Sequence, residues 1–255
     1  MVREFGGTAR EALACGMHVH VEIASADEGF AVLDRIRPWL PSLLALSANS
    51  PFAGGRDTGY ASFRTQIWSR WPSAVPTGTF GSVDGYRAVV AQLLATGTVL
   101  DEGMVYFDAR LARAYPTVEV RVADVCVRAD DAVLIAALAR TLVETAARSF
   151  ERGEPVPEVR TEVLRLATWR ASRSGTASSL VHPLTWKPAP AAAVVDLLVE
   201  YVGSALDEQG DAVAVADLLA GLRERGSGAD RQREVHDGAA RLADVVLDAV
   251  DVTSA

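Results

Sequence analysis

The chain has 255 residues, 49% apolar and 23% charged, the balance of a soluble globular protein with one large domain or two small ones. Its 25 Lys and Arg against 33 Asp and Glu leave a net charge of −8, which argues against a sequence-independent grip on nucleic-acid phosphates. Lys187 is the only lysine and no Gly-Lys-Ser/Thr occurs, so any phosphate is handled by arginine, backbone or metal rather than by a P-loop, and pyridoxal phosphate lacks an anchor.

Taken in chain order, residues 2–13 look like the tail of a helix, and 17–23 (MHVHVEI) alternate with period two as a strand. Asp27 is placed to cap a helix running to about Leu40, with Phe30, Leu33 and Ile36 on one face. A short apolar helix at 43–48 then enters the loop NSPFAGGRDTGY (49–60), whose length and polar content suggest a function. Helices are expected at 61–71 and 84–94, and strands at 104–110 (MVYFDAR) and 117–122 (TVEVRV). From Asp130 onward the pattern turns helical: a long helix to about Arg152 with Val133, Leu134, Ala137, Leu138, Leu142 and Thr145 as its stripe, then 158–172, 191–208, 213–225 and 231–250. Strands in the first half with helices around them predict an α+β fold with a small, mostly antiparallel sheet.

Two cysteines are too few for a disulfide framework, no segment resembles a secretory signal, and the apolar stretch 189–199 is too short to span a bilayer, so the expectation is a cytoplasmic protein without membrane contact. Cys15 and Cys126 are expected as small core residues, Trp39, Trp68, Trp71 and Trp169 as packing, and His236 as a surface helix residue.

Residues two apart on a strand share a face. Met17, Val19, Val21 and Ile23 therefore oppose His18, His20 and Glu22; Val118, Val120 and Val122 oppose Thr117, Glu119 and Arg121; Val105, Phe107 and Ala109 oppose Tyr106, Asp108 and Arg110. If the strands pair, one face is core, and the other gathers two histidines, three carboxylates and two arginines. The pattern admits two readings: the wet face of an antiparallel sheet, or a site for a divalent cation and a phosphoryl group. A zinc site on His18 and His20 lacks a recognisable third ligand, since His182 lies in a Pro-rich turn and His236 in a C-terminal helix.

Several segments together, ACGMHVHVEI (14–23), RPWLPSLLALSANSPFAGGRDTGYASFR (37–64), SRWP (69–72), YPTVEVRVADVC (115–126), DDAVLIAALARTLV (130–143) and GADRQR (228–233), resemble the glutamate–cysteine ligase family 2, the carboxylate–amine ligases. The resemblance implies a glutamine-synthetase-like catalytic sheet flanked by helices. It implies one domain over 1–255, incomplete at its N-terminal side, with a helical C-terminal portion at about 130–255. The implied reaction is ATP-dependent joining of a carboxylate, typically the side chain of glutamate, to an amine such as that of cysteine, through an acyl phosphate. Residue by residue, it implies His18 and Glu119 as ligands of Mg2+ or Mn2+, His20 near the nucleotide phosphates, and Arg121 and Arg110 on phosphoryl or substrate oxygens. Asn49, Arg56 and Arg64 become substrate or nucleotide contacts, and Arg231 and Arg233 would close over the site or begin the last helix. The expected partners are small molecules, with no nucleic acid, no membrane and a homo-oligomer as an open state.

The chain departs from the family pattern in three places. No strand with a run of glutamates precedes residue 14, Glu22 stands where a glycine is usual, and Ala109-Arg110-Leu111-Ala112 replaces an Arg-Pro-Ser wording. Two other functions stay open: a catalytically weak or inactive homologue that binds or oligomerises, and a metal-dependent hydrolase built on His18 and His20.

Overall fold

Two short helices, α1 (Val2–Phe5) and α2 (Gly7–Glu11), lead into strand β1 (Val19–Glu22) in the computed structural model, which describes residues 1–239 and 241–254. Helix α3 (Ala26–Ile36) begins at Ser25 rather than at Asp27. The Ser25 hydroxyl accepts from the Glu28 N–H, and Glu28 reaches back to accept from the Ala24 N–H, so a donor of the first turn and one just before the cap are satisfied together. Helix α4 (Leu40–Ser47) is buried along its whole length; Pro41 costs nothing in the first turn, where no N–H is needed.

The loop after α4 folds into a small hairpin, β2 (Phe52–Ala53) and β3 (Arg56–Asp57). Gly54 and Gly55 turn it with φ of 56° and 81°, a conformation that residues with a Cβ adopt only under strain. Helices α5 (Phe63–Trp68) and α6 (Val83–Ala95) follow, then a 3-10 turn at Glu102–Met104 and strands β4 (Ala109–Leu111) and β5 (Thr117–Val120). The rest comprises α7 (Ala129–Glu151), α8 (Thr161–Ser174), the short pair β6 (Ser179–Val181) and β7 (Pro188–Pro190), then α9 (Ala191–Tyr201), α10 (Gly203–Gln209), α11 (Ala212–Arg225), α12 (Gly228–Ala239) and α13 (Leu242–Ser254).

The main sheet has the order β1-β5-β4 and is antiparallel throughout, which makes this an α+β fold. Val118, Val120 and Val122 face a core built with Leu33 and Ile36 of α3 and with Leu134, Leu138 and Leu142 of α7. Removing such side chains from water is the main favourable term that holds the helices on the sheet, at about 25 cal/mol per Å² of apolar surface.

The alternation over 104–110 is correct in its faces and too generous in its strand. Val105, Phe107 and Ala109 are buried as expected, but only Ala109–Leu111 pairs, because the 3-10 turn consumes the start of the segment. The α7 stripe includes Ile135 and leaves out Val133, which is 55% exposed. The helix expected at 191–208 breaks at Val202, and that expected at 231–250 is two helices, α12 and α13. Cys15 is exposed and Cys126 half-buried, where both were expected in the core; Trp169, expected as packing, is half exposed and meets the Tyr60 ring edge-on. Among the described residues no helix is long and apolar enough to cross a membrane.

Candidate active site

Glu119 sits in the middle strand, so both neighbours present a residue directly to it: His20 from β1 and Arg110 from β4. Arg110 Nε donates to Glu119 Oε2 over 2.7 Å, and His18 Nδ1 stands 2.8 Å from Glu119 Oε1. Arg121, two residues on, just past the end of β5 and on the same face, donates from Nη1 to the same Oε1. His20 Nε2 is 3.9 Å from that oxygen, while its Nδ1 pairs with the Thr117 hydroxyl at 2.9 Å. One carboxylate thus gathers two guanidiniums and an imidazole.

This face is less wet than alternation alone suggests. Glu119 and Arg121 are 4% and 5% exposed, covered by side chains from outside the sheet. The Arg121 guanidinium carbon lies 6.0 Å from the Trp68 ring centre and 5.9 Å from that of Tyr106, and the two rings, 4.7 Å apart, meet it from one side. Its Nε has no acceptor, a buried donor left open beside the carboxylate. Burial would push the Glu119 carboxyl up. The hydrogen bonds from His18 and Arg110 and the charges of Arg121 and Arg110 outweigh burial and hold it well below the usual carboxylate range. Arg110 is anchored a second time, its Nη1 donating to the Val105 carbonyl at 2.9 Å. Beside it opens a cleft of about 570 Å³ lined by Tyr86, Val90, Leu94, Glu102, Arg110 and Arg113 among others.

The remaining expected residues lie elsewhere. Arg64 is buried behind the cluster: Nη2 donates to the Arg121 carbonyl at 3.1 Å and Nη1 to the Val122 carbonyl at 3.2 Å. Asn49 belongs to a polar joint around Asp124, whose Oδ2 accepts from Asn49 N–H and the Ser50 hydroxyl and whose Oδ1 accepts from the Ser62 hydroxyl. Gln232 of α12 donates to both the backbone and side-chain oxygens of Asn49. Arg56 is exposed on β3 and does not pair with Asp57; Arg233 takes Asp57 instead, through two bonds of 2.8 and 2.9 Å. Arg231 forks onto Asp248 of α13. His18, His20, Glu119, Arg110 and Arg121 come together, and Asn49, Arg56 and Arg64 do not join them.

Asp108, one of the three carboxylates that alternation puts on the polar face, has no role assigned from the sequence. It extends the polar face one step beyond the paired Ala109 and Val120, opposite Arg121, whose N–H donates to the Asp108 carbonyl at 2.9 Å. No donor reaches its carboxylate among the described residues, and burial pushes its pKa up to about 6 against the pull of Arg64. The signal in the sequence was its place in the alternation, two residues before Arg110.

For a divalent cation the fit is incomplete. His18 and Glu119 are adjacent, but among the described residues no group of three His, Cys, Asp or Glu side chains converges on one point, and the hard cations take about six oxygens. Glu119 is already engaged by its two arginines and His18.

The chain belongs to glutamate–cysteine ligase family 2, whose family model matches residues 1–247. It is 55% identical to a protein of Paenarthrobacter aurescens named "putative glutamate–cysteine ligase 2-1", over 99% of this chain and 66% of that one. A similarly named protein of Frankia alni is 56% identical over 95% of this chain and 63% of its own length, and one of Streptomyces coelicolor 52% identical over 100% and 70%. The chain thus spans about two thirds of the length of these relatives. Among solved structures, the glutamate–cysteine ligase of Francisella tularensis in complex with AMP has the same fold, with a TM-score of 0.62 over 90% of this chain and 58% of that one at 13% identity.

Proposed function

We propose that the protein is an ATP-dependent carboxylate–amine ligase that joins the side-chain carboxylate of glutamate to an amine such as that of cysteine. The observation that carries this reading is the Arg110–Glu119–Arg121 arrangement, in which one buried carboxylate fixes two guanidiniums on a single sheet face. Arginine forks match phosphoryl oxygens in pairs, and preorganised cations stabilise charge that develops in the transition state. Family membership and the AMP carried by the fold relative from Francisella tularensis support the nucleotide.

In this reading the substrate carboxylate attacks the γ-phosphorus of ATP and displaces ADP, giving an acyl phosphate. The amine then attacks the acyl carbon, and inorganic phosphate leaves. Both steps place negative charge on phosphoryl oxygens, which Arg110 and Arg121 meet, while His18 and His20 line the same face. The cleft beside Arg110 offers room for a nucleotide or amino acid. A divalent cation arriving with the nucleotide would meet His18 and Glu119 as donors; the steps described are those of the chain's own residues. The substrates are small metabolites of the cytoplasm, where ATP is found.

The test is release of phosphate from ATP with glutamate and cysteine present, followed with the intact chain. Release that depends on both amino acids, and that falls by at least about a hundredfold in Arg121→Lys, supports the reading, because lysine cannot offer the fork. Release indifferent to both amino acids would overturn it.

A further inference from the structure

Two carboxylates lie on the polar face in opposite environments, Glu119 wrapped in cations and Asp108 without a donor. Behind Asp108 is a cavity of about 130 Å³ whose walls include Thr65, Trp68, Asp108, Arg165, Thr168 and Trp169. Trp68 is shared: one side faces this cavity, and the Arg121 guanidinium lies against the indole at 6.0 Å. The cavity is thus one aromatic ring away from the arginine pair.

Resting on the ligase reading above, we propose that this cavity receives the ammonium group of the amine substrate and that Asp108 takes its proton. A half-buried carboxylate without a donor in a cavity that two indoles also line, with the Thr65 and Thr168 hydroxyls as acceptors, suits an organic cation. Arg165 is exposed at the rim and has no ion pair among the described residues, so it is free to meet a carboxylate carried by the same substrate. A base whose pKa is near the working pH transfers protons best, and the pair of carboxylates is split in the way that separates acid–base roles.

The ammonium gives one proton to the Asp108 carboxylate and becomes a free amine. The amine nitrogen forms the bond to the acyl carbon, the bond from that carbon to the phosphate oxygen breaks with its electron pair, and the second nitrogen proton leaves on the departing phosphate. The charged and titratable groups facing Asp108 are Arg121 just past β5, Arg64 from α5, Arg165 from α8, Arg37 beyond α3 and Tyr106 on its own segment.

The experiment compares the intact chain with Asp108→Asn using two nucleophiles, cysteine, which arrives protonated, and hydroxylamine, which is uncharged at neutral pH. The expected result is a loss of about a hundredfold in amide formation with cysteine and less than about twofold in hydroxamate formation. Equal losses with both nucleophiles, or no loss with either, overturn the proposal. A binding arm needs no turnover: ethylammonium chloride is titrated while the indole N–H signals of Trp68 and Trp169 are followed by NMR, with sodium chloride as control. Saturable shifts in the wild type that vanish in Asp108→Asn and weaken severalfold in Trp169→Leu support the site. Absence of shifts in the wild type overturns it. If the wild type forms neither amide nor hydroxamate yet binds ethylammonium, the ligase reading fails and the cation pocket stands.

Discussion

Arg110 and Glu119 stand directly opposite each other in the β4–β5 ladder, and Arg110 Nε donates to Glu119 Oε2 over 2.7 Å. The pairing places the guanidinium on the face that β5 shares with Arg121 and turns two isolated cations into one fixed pair. Glu119→Gln takes away the charge that compensates buried Arg121, so it should lose activity and also about 2 to 3 kcal/mol of stability. Denaturant melts with phosphate release check both; full activity in the variant would remove Glu119 from the site.

The backbone at Gly16 passes so near Arg64 that a Cβ there would lie 2.2 Å from Nη2 and 2.5 Å from the guanidinium carbon. Gly16→Ala should therefore drive Arg64 out of its seat on the Val122 and Arg121 carbonyls, at about 1 to 3 kcal/mol. An unchanged melting temperature would mean that Arg64 has another place to go.

Asp108 makes stability depend on pH in a defined direction. Its folded pKa of about 6 lies above its ordinary 3.8, so the folded state holds the proton more tightly and stability declines as pH rises through that window. Asp108→Asn removes the effect. The variant should gain up to about 3 kcal/mol over the wild type above pH ~6 and little below pH ~4, measured by denaturant melts across pH.

Arg233 clasps α12 to the hairpin through Asp57 and through the Tyr60 carbonyl. The hydrogen bonds from Arg233 lower the Asp57 pKa to about 2, so this stabilisation is complete above pH ~4 and fades as pH falls toward that value. The pair is solvent-exposed, and Arg233→Ala should cost under about 1 kcal/mol globally. Hydrogen exchange should still show faster opening across residues 49–60; equal protection in the variant would mean that the clasp does not hold the loop.

The two thiols should differ in reactivity. Cys15 is exposed, while burial and the charges of Asp131 and Asp124 push the Cys126 thiol up to about 12. A thiol reagent at neutral pH should label Cys15 quickly and Cys126 only on unfolding, and mass spectrometry of the labelled peptides tells the two apart.

The polar face was legible because strand geometry is local: period-two alternation put His18, His20, Glu119, Arg121 and Arg110 on one side before any pairing was known. The loop residues were harder to place. Asn49 and Arg64 stand near motif residues in the chain, yet Asn49 is spent on Asp124, Val125 and Gln232, and Arg64 on two backbone carbonyls. Those partners come from up to 183 residues away, which no local pattern encodes.

Sequence by itself determined which residues share a sheet face, where the longest helix α7 runs and, through whole motifs, which family the chain belongs to, since each follows from short-range periodicity or from an ordered string of residues. Tertiary structure decided the charge states and the company each group keeps. Burial, the stacking of Trp68 and Tyr106 on Arg121, and the middle-strand place of Glu119 depend on segments far apart in the chain. These set one carboxylate low and its neighbour Asp108 high.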